Sequence, residues 1–260
     1  MKIASAALVV AALGAPAFAQ PTFFVSKDTT LMRFQLGGGI DSFTMSDRIR
    51  GLTARADDTL FAVSPVNPDN GEPEFYEINN PFDALPVLTP TSVQTNIGWS
   101  AVTEVGNLLY ALGGDGDLYS IDPGNAYAPT FIGYTGLTDV GGLAYDAPGN
   151  RLVALDNDSD ALYALNWATG NADITIGSLG IDSTACGIEL FGGVLYAAIQ
   201  NVTDDELQVG TVSLSNGSYT SIQTLESGAI LAATSLAIIP APGTLALLVS
   251  AVAIGARRRR

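Results

Sequence analysis

The sequence stretch that decides the fold recurs four times, as TLFAV (Thr59–Val63), LLYAL (Leu108–Leu112), RLVAL (Arg151–Leu155) and VLYAA (Val194–Ala198). The leucines at equivalent positions, Leu60, Leu109, Leu152 and Leu195, are 49, 43 and 43 residues apart. Each copy is short, apolar and bounded by Gly, Asn or Asp, which is typical of a β-strand between turns. A fixed period of this length indicates a repeat architecture.

Two further motifs keep the same period. One follows each copy, as LMRF (Leu31–Phe34), FYEI (Phe75–Ile78), LYSI (Leu118–Ile121), LYAL (Leu162–Leu165) and TVSL (Thr211–Leu214). The other precedes it, as GLTA (Gly51–Ala54), SAVT (Ser100–Thr103), GLAY (Gly142–Tyr145) and GIEL (Gly187–Leu190). Several strands per unit of 43–49 residues are typical of propeller blades, each a four-stranded sheet with strands a, b, c and d.

The ends of the repeat region predict how the ring closes. The chain begins with strands b, c and d only (Thr22–Ser26, Thr30–Gln35 and Ser42–Met45), and Ala233–Ile239 matches strand a. Pairing these ends would complete a fifth blade and leave no exposed sheet edge. The sequence therefore predicts an all-β, five-bladed propeller over residues 20–239, with a β-sandwich of coincidental spacing as the alternative.

Residues 1–19 have the pattern of a secretory signal peptide. Lys2 precedes an uncharged apolar run that ends in Ala17-Phe18-Ala19, and we expect cleavage after Ala19. The alternative is a buried N-terminal helix. Cleavage would place the mature chain outside the cytoplasm, and export machinery would be its first partner.

Residues 240–260 form a second targeting segment. Pro240, Pro242 and Gly243 precede an uncharged run over Thr244–Ala256, and Arg257, Arg258, Arg259 and Arg260 end the chain. As a helix the run would span roughly 20 Å, less than the ~30 Å of a hydrocarbon core, and the arginines would stay on the cytoplasmic side. The order of proline motif, apolar helix and arginine cluster resembles the PEP-CTERM sorting signal, although the motif is Pro-Ala-Pro instead of Pro-Glu-Pro. The resemblance implies a C-terminal sorting protease (exosortase) as a partner, and an ordinary membrane anchor is the alternative.

Composition excludes several functions. The chain has no histidine and one cysteine, which rules out a Ser-His-Asp triad, a histidine-zinc site and an internal disulfide. Its net charge is −15, and residues 20–256 carry six cations against 26 acids, a net charge of −20. A body this acidic argues against a nucleic-acid partner.

The repeats resemble extracytoplasmic bacterial propellers of the NHL/YVTN type, in which strands like LYAL (Leu162–Leu165) alternate with strands like GLAYD (Gly142–Asp146). This resemblance implies a fold and a setting outside the cytoplasm. It carries over no catalytic residue.

The predicted topology gathers 16 of the 26 acids on the face formed by the b–c and d–a loops. They are Asp28, Asp47, Asp69, Glu72, Glu74, Asp115, Asp117, Asp139, Asp156, Asp158, Asp160, Asp182, Asp204, Asp205, Glu206 and Glu226. Asp156, Asp158 and Asp160 are the candidate metal ligands, because alternate carboxylates can converge on a calcium ion. Ala161 and Trp167 stand where an EF-hand has glycine and glutamate, so a weaker turn-type site is expected. The alternative is a charged face that keeps an apolar propeller soluble.

The sequence predicts an exported, non-catalytic binding or scaffold propeller at the cell surface or in the extracellular matrix. Its expected ligand is a polysaccharide or another surface protein. Core and strand-face packing is the expected use of Tyr119, Tyr127, Phe131 and Tyr134, and stacking on sugars is the alternative. The alternative is a secreted glycoside hydrolase or lyase that uses paired carboxylates. Cys186 is expected to be a core residue, since no histidine can activate it. No cofactor other than calcium is expected.

Overall fold

The computed structural model describes residues 20–65, 74–95, 97–228 and 233–240, and these residues form twenty strands and one short 3-10 turn, Pro123–Asn125. The strands pair into five separate antiparallel sheets of four, which confirms the five-bladed propeller. Blade 1 is β20 with β1, β2 and β3, and blades 2 to 5 are β4–β7, β8–β11, β12–β15 and β16–β19.

The strand bounds of each blade, from the innermost strand outward, are as follows. Blade 1 has β20 (Thr234–Ile239), β1 (Thr22–Lys27), β2 (Thr30–Phe34) and β3 (Ile40–Thr44). Blade 2 has β4 (Gly51–Ala54), β5 (Leu60–Val63), β6 (Glu74–Ile78) and β7 (Thr89–Gln94). Blade 3 has β8 (Trp99–Val105), β9 (Leu108–Gly113), β10 (Asp117–Asp122) and β11 (Ala128–Tyr134). Blade 4 has β12 (Val140–Asp146), β13 (Arg151–Asp156), β14 (Ala161–Leu165) and β15 (Ala172–Ser178), and blade 5 has β16 (Ser183–Phe191), β17 (Val194–Asn201), β18 (Glu206–Val212) and β19 (Tyr219–Ser227).

The ring closes through the two ends of the repeat region, as the sequence predicts. Strand β20 pairs antiparallel with β1 along its whole length, from Thr22 opposite Ile239 to Lys27 opposite Thr234. The innermost strands β4, β8, β12, β16 and β20 each pack against the next around the axis, and β20 returns to β4. Pairing with β20 therefore covers the edge that β1 would otherwise expose.

Five apolar cores lie between neighbouring blades. Alternate residues of one strand enter different cores: Phe23 and Val25 pack toward blade 5, whereas Phe24 packs toward blade 2. Because both faces of each blade are covered, strands such as β5 and β13 are apolar at almost every position instead of alternating with polar residues. This explains the uninterrupted apolar character of the LLYAL motif.

Small residues let the innermost strands meet at the axis. Gly51, Ala101, Gly142, Gly187 and Ser235 occupy equivalent positions beside the narrow waist of the channel. A Cβ on Gly187 would lie 2.4 Å from the Cα of Ser235, and one on Gly51 would lie 3.0 Å from the Cα of Ala101. The comparison of the repeat motifs SAVT and GLTA predicts Ser100 at this position. The structure places Ala101 there, one residue further on, because Ala101 lies opposite Leu112 of β9 just as Gly51 lies opposite Val63 of β5.

The predicted signal peptide (1–19) and nearly all of the C-terminal targeting segment (241–260) lie outside the described residues. Within the described ranges, no helix is long and apolar enough to cross a membrane.

Candidate functional site: the axial cavity

Three innermost strands carry a β-bulge close to their first residue. The pairing register slips between Trp99 and Ala101 in β8, between Val140 and Gly142 in β12, and between Ser183 and Ala185 in β16. The extra residues are Ser100, Gly141 and Thr184. A bulge redirects a side chain and locally ends regular pairing, and bulges are frequent beside functional sites.

All three bulged residues line one cavity of about 220 Å³ at the end of the channel where the innermost strands begin. Every blade contributes to its wall. The lining residues are Arg50, Ser100, Asp139, Val140, Gly141, Asn157, Thr184, Ala185, Cys186, Ala233 and Thr234. We call this space the axial cavity. A concave site lined by a few convergent polar groups is the expected form of a small-ligand site.

Arg50 supplies the positive charge of the axial cavity. Five of the six cations between residues 20 and 256 pair with carboxylates: Lys27 with Glu226, Arg33 with Asp41, Arg48 with Asp28, Arg55 with Glu77 and Arg151 with Asp146. The half-buried Arg50 makes no ion pair with a described residue, although the chain has 26 acids. Its guanidinium is therefore available to a ligand.

Asp139 and Asn157 supply acceptors on the same wall. The Nδ2 of Asn157 donates to the Oδ2 of Asp139 at 3.4 Å, and the Asn157 backbone N–H donates to the Asp139 carbonyl at 2.9 Å. Asn157 is only 8% exposed, and its Oδ1 accepts no hydrogen bond from a described residue. Leaving a buried acceptor without a partner costs roughly 1–3 kcal/mol. Because the Asn157 oxygen is itself buried, the half-buried Asp139 carboxylate is the acceptor that a ligand at this wall can reach.

Cys186 is completely buried at the cavity wall and packs in the core between blades 4 and 5. Burial raises the pKa of its thiol well above the ordinary value, and the charges of Asp139, Asp156 and Asp160 raise it further. The thiol therefore stays protonated at neutral pH. This agrees with the prediction from the sequence that Cys186 is a core residue.

The acid-rich face is the face on which the axial cavity opens. The b–c and d–a loops bond to each other there: Asn157 N–H donates to Asp139 O, Val202 N–H to Asp182 O, and Ile49 N–H to Asp28 O, at 2.9–3.0 Å. Asp28, Asp160 and Asp205 occupy turn positions with φ between 49° and 58°, a region that aspartate tolerates better than most residues. The turns of these loops therefore account for some of the acids on this face. Asp69 and Glu72 lie outside the described residues.

The three candidate calcium ligands each have a separate partner. The Asp156 carboxylate accepts bonds from the Asp139 and Ser159 N–H groups and from the Ser159 hydroxyl, and the Asp158 carboxylate accepts the Thr138 hydroxyl. The Oδ1 of Asp160 accepts the N–H and the hydroxyl of Ser183, both at 2.7 Å. In the described part of the chain, no group of three or more His, Cys, Asp or Glu side chains is arranged to hold a metal ion. Calcium binding at these residues stays a prediction.

A second polar group lies near the opposite ends of the innermost strands. Glu104 of β8 accepts from the Ala56 N–H at 3.1 Å and lies 3.8 Å from Arg55, and the Thr53 hydroxyl donates to Glu189 of β16 at 3.4 Å. Burial raises the pKa of Glu189 to about 8, and the charge of Glu104 raises it as well. Glu189 is therefore largely protonated at neutral pH, which its sequence context does not indicate.

Two of the four aromatic residues singled out in the sequence are exposed. Phe131 and Tyr134 on the outer strand β11 are 47% and 69% exposed, with ring centroids 5.1 Å apart, and Tyr119 packs against Phe131 at 5.6 Å. Tyr127 instead stacks on the buried Phe61, and its hydroxyl donates to Glu77. Blade 3 thus has an exposed aromatic edge, formed by Phe131 and Tyr134.

Sequence reasoning identified the face and included Asp139 among its acids, but it missed the axial cavity and singled out neither Arg50 nor Asn157. Arg50 could have been noticed as a basic residue directly before an innermost-strand motif on an acidic face. Asn157 was present only as a spacer between Asp156 and Asp158.

No protein-family model matches the chain, and no curated protein matches it significantly in sequence. Solved structures do match the chain when the folds are superposed. A chain in the crystal structure of a nidogen/laminin complex superposes with a TM-score of 0.51 at 11% identity, over 84% of this chain and 98% of that one. A protein of unknown function from Bacteroides thetaiotaomicron gives 0.44 at 16% identity over 78% and 50%, and YCF48 bound to a D1 peptide gives 0.42 at 11% identity over 80% and 64%. At such identities the likeness concerns the fold alone, and the assignment as a five-bladed β-propeller rests on this chain's own five sheets.

Proposed function

We propose that the chain is an exported, non-catalytic propeller that binds surface polysaccharide through the axial cavity, as part of the cell surface or extracellular matrix. One observation carries the binding site: the three β-bulges at Ser100, Gly141 and Thr184 all lie at the wall of one cavity. Bulges are frequent beside functional sites, and these three, in three different blades, converge on one space.

Two features of the same surface support polysaccharide as the ligand. Hydroxyl groups of Ser100, Thr184 and Thr234 and the amide of Asn157 line the cavity, and such groups suit the many hydroxyls of a sugar. The exposed aromatic edge offers apolar ring faces on which a longer glycan could stack. Another surface protein is the alternative ligand.

A glycan array probed with the exported protein tests the binding role. Thr184 is exposed at the cavity wall, so Thr184→Trp should fill the space without disturbing a core and should abolish binding. Thr220→Trp is the matched control, since Thr220 is exposed on the outer strand β19. Unchanged binding by Thr184→Trp, with melting behaviour like that of wild type, would place the site elsewhere.

A glycoside hydrolase or lyase is a second candidate, and the Glu104–Glu189 pair is the observation in its favour. Burial raises the pKa of both carboxyls, that of Glu189 to about 8, and a carboxyl that is protonated at neutral pH can serve as the general acid of such enzymes. Release of reducing sugar from the glycans that bind, and its loss in Glu189→Gln, would establish catalysis. No release from any bound glycan would leave the binding role.

Export can be tested on the native protein. We expect mass spectrometry to find a chain that lacks residues 1–19 and is either processed near Pro240 or retained in the membrane. An intact chain that begins at Met1 in the soluble cytoplasm would contradict export without affecting the cavity.

A further inference from the structure

We infer that the axial cavity selects a sugar unit that carries both a carboxylate and a free ammonium group. This inference rests on the proposed polysaccharide-binding role and adds the charge chemistry of the ligand. Two features of the wall carry it: the guanidinium of Arg50 and the carboxylate of Asp139, in the same cavity.

Arg50 requires an anionic partner. A guanidinium presents five N–H donors in a planar fork that fits a carboxylate through two parallel hydrogen bonds. The other five cations of the body are already paired, whereas Arg50 has no described ion pair despite its acid-rich surroundings. A ligand carboxylate would give Arg50 an ion pair as well, and the exposed Thr184 hydroxyl would be a further donor at the wall.

The Asp139 carboxylate favours a donor. It accepts the Asn157 amide nitrogen at 3.4 Å, and as a half-buried carboxylate on the cavity wall it can accept further hydrogen bonds. An ammonium group has three N–H donors and no acceptor, so it can donate to this carboxylate. A ligand carboxylate at the same place would be repelled by it.

The charge of the surrounding face selects against simpler ligands. The b–c and d–a loops are rich in carboxylates, and their field opposes the approach of a purely anionic sugar. A purely cationic sugar would be attracted by the loops but would leave Arg50 without an anion. A zwitterionic unit carries no net charge and offers a partner to both Arg50 and Asp139. Specificity results because a purely anionic or purely cationic sugar leaves one of these two residues without a partner.

The test is calorimetric titration of the exported protein with three related sugars at about pH 6, where an amine with the pKa of an α-amino group is protonated. Muramic acid carries both groups, N-acetylmuramic acid only the carboxylate, and glucosamine only the ammonium. We expect muramic acid to bind at least about tenfold more tightly than either of the others. This comparison needs no variant, so it holds even where a substitution impairs folding.

Arg50→Gln should bring the affinity for muramic acid down to that for glucosamine, and Arg48→Gln is the matched control. Arg48 carries the same charge on the same loop but is exposed and paired with Asp28, outside the cavity lining. Equal affinities for the three sugars, or a preference for N-acetylmuramic acid or glucosamine, would overturn the charge selection while leaving polysaccharide binding intact. Absence of binding to these sugars, with other glycans bound on the array, would also overturn it. Absence of any glycan binding would reject the proposed function itself.

Discussion

Single small residues set how closely the five blades approach the axis. At Gly187 the atoms that a Cβ would meet are the backbone N of Leu236 and the backbone Cα of Ser235, both at 2.4 Å. These atoms cannot move aside without displacing the closing strand β20, which also holds the ring together. The glycine is therefore required by close approach and not by its φ angle.

We expect Gly187→Ala to lower the free energy of unfolding by about 3 kcal/mol, at the upper end of overpacking costs because backbone is displaced. Gly39→Ala is the control, since a Cβ there has no atom within 4 Å. Urea unfolding measures both. A Gly187→Ala variant as stable as Gly39→Ala would mean that the axis is wider in solution than in the structure.

Glu189 should make stability depend on pH. Its folded pKa of about 8 lies above the ordinary 4.5, so the folded state binds a proton that the unfolded state has released between these values. Folding stability is therefore highest below about pH 4.5 for this group and falls as pH rises through 8. Because the residue as a whole is only half-buried, we expect a loss on the order of 3 kcal/mol, less than the full shift implies.

Unfolding measured from pH 5 to pH 9 checks this expectation. Glu189→Gln keeps the side-chain shape and removes the titration, so its stability should change less with pH over that range. The control is Glu206→Gln, because hydrogen bonds from Gln208 and Thr224 lower the pKa of Glu206 and it stays ionised throughout. Parallel pH profiles for wild type and Glu189→Gln would contradict a protonated Glu189.

Among the strands, β20 has the largest effect on closure. All six of its residues are buried, and it contributes to the cores on both sides of blade 1. Its partner β1 begins the described chain, so the two ends of the repeat region stabilise each other across more than 200 intervening positions. Closure by chain ends removes the edge that β1 would otherwise expose.

Deleting residues 233–260 should cost several kcal/mol, because six buried side chains are lost at ~25 cal/mol per Å² of apolar surface and β1 becomes an exposed edge. Deleting only 241–260 keeps β20 and is the control, which should melt like the full chain. Equal melting temperatures for the two truncations would count against closure by β20.

Calcium binding can be tested at the loop between β13 and β14. Asp156, Asp158 and Asp160 already accept hydrogen bonds from protein groups, so a bound ion would have to share or displace them. If calcium binds, a hundredfold excess over Kd stabilises the fold by about 2.7 kcal/mol. The prediction is that millimolar calcium at fixed ionic strength raises Tm by about a degree or more and that Asp158→Asn abolishes the rise. Identical melting in calcium and in chelator would reject the site.

The whole molecule is dominated by one sign of charge. Residues 20–256 carry a net charge of −20, and many of the acids share the face around the axial cavity. Repulsion among them opposes the compact state and is screened within about 10 Å at 0.1 M salt. We expect Tm to rise by several degrees between roughly 0.02 and 0.3 M sodium chloride, and equally in choline chloride. A rise confined to one cation would indicate specific ion binding instead of screening.

The architecture was predictable because its signals are local and repeated. Each strand motif and each bounding turn, such as Gly106-Asn107 between β8 and β9, is contained in a few consecutive residues, and five copies reinforce one another. The closing strand could be recognised because Ala233–Ile239 resembles the other innermost strands. Chain-local pattern and spacing therefore determined the fold class, the number of blades and the closure of the ring.

The axial cavity was not predictable in the same way. Its wall combines Arg50, Ser100, Asp139, Thr184 and Thr234, which are about one repeat apart in sequence and meet only where five strands begin around one axis. The bulges that place Ser100 and Thr184 at the cavity wall are register shifts between paired strands, and no single strand's sequence specifies them. Protonation of Glu189 likewise follows from burial among other blades. The sequence by itself determined the repeating scaffold through short-range pattern, and only the tertiary structure decided the site, because the site consists of long-range contacts between the copies.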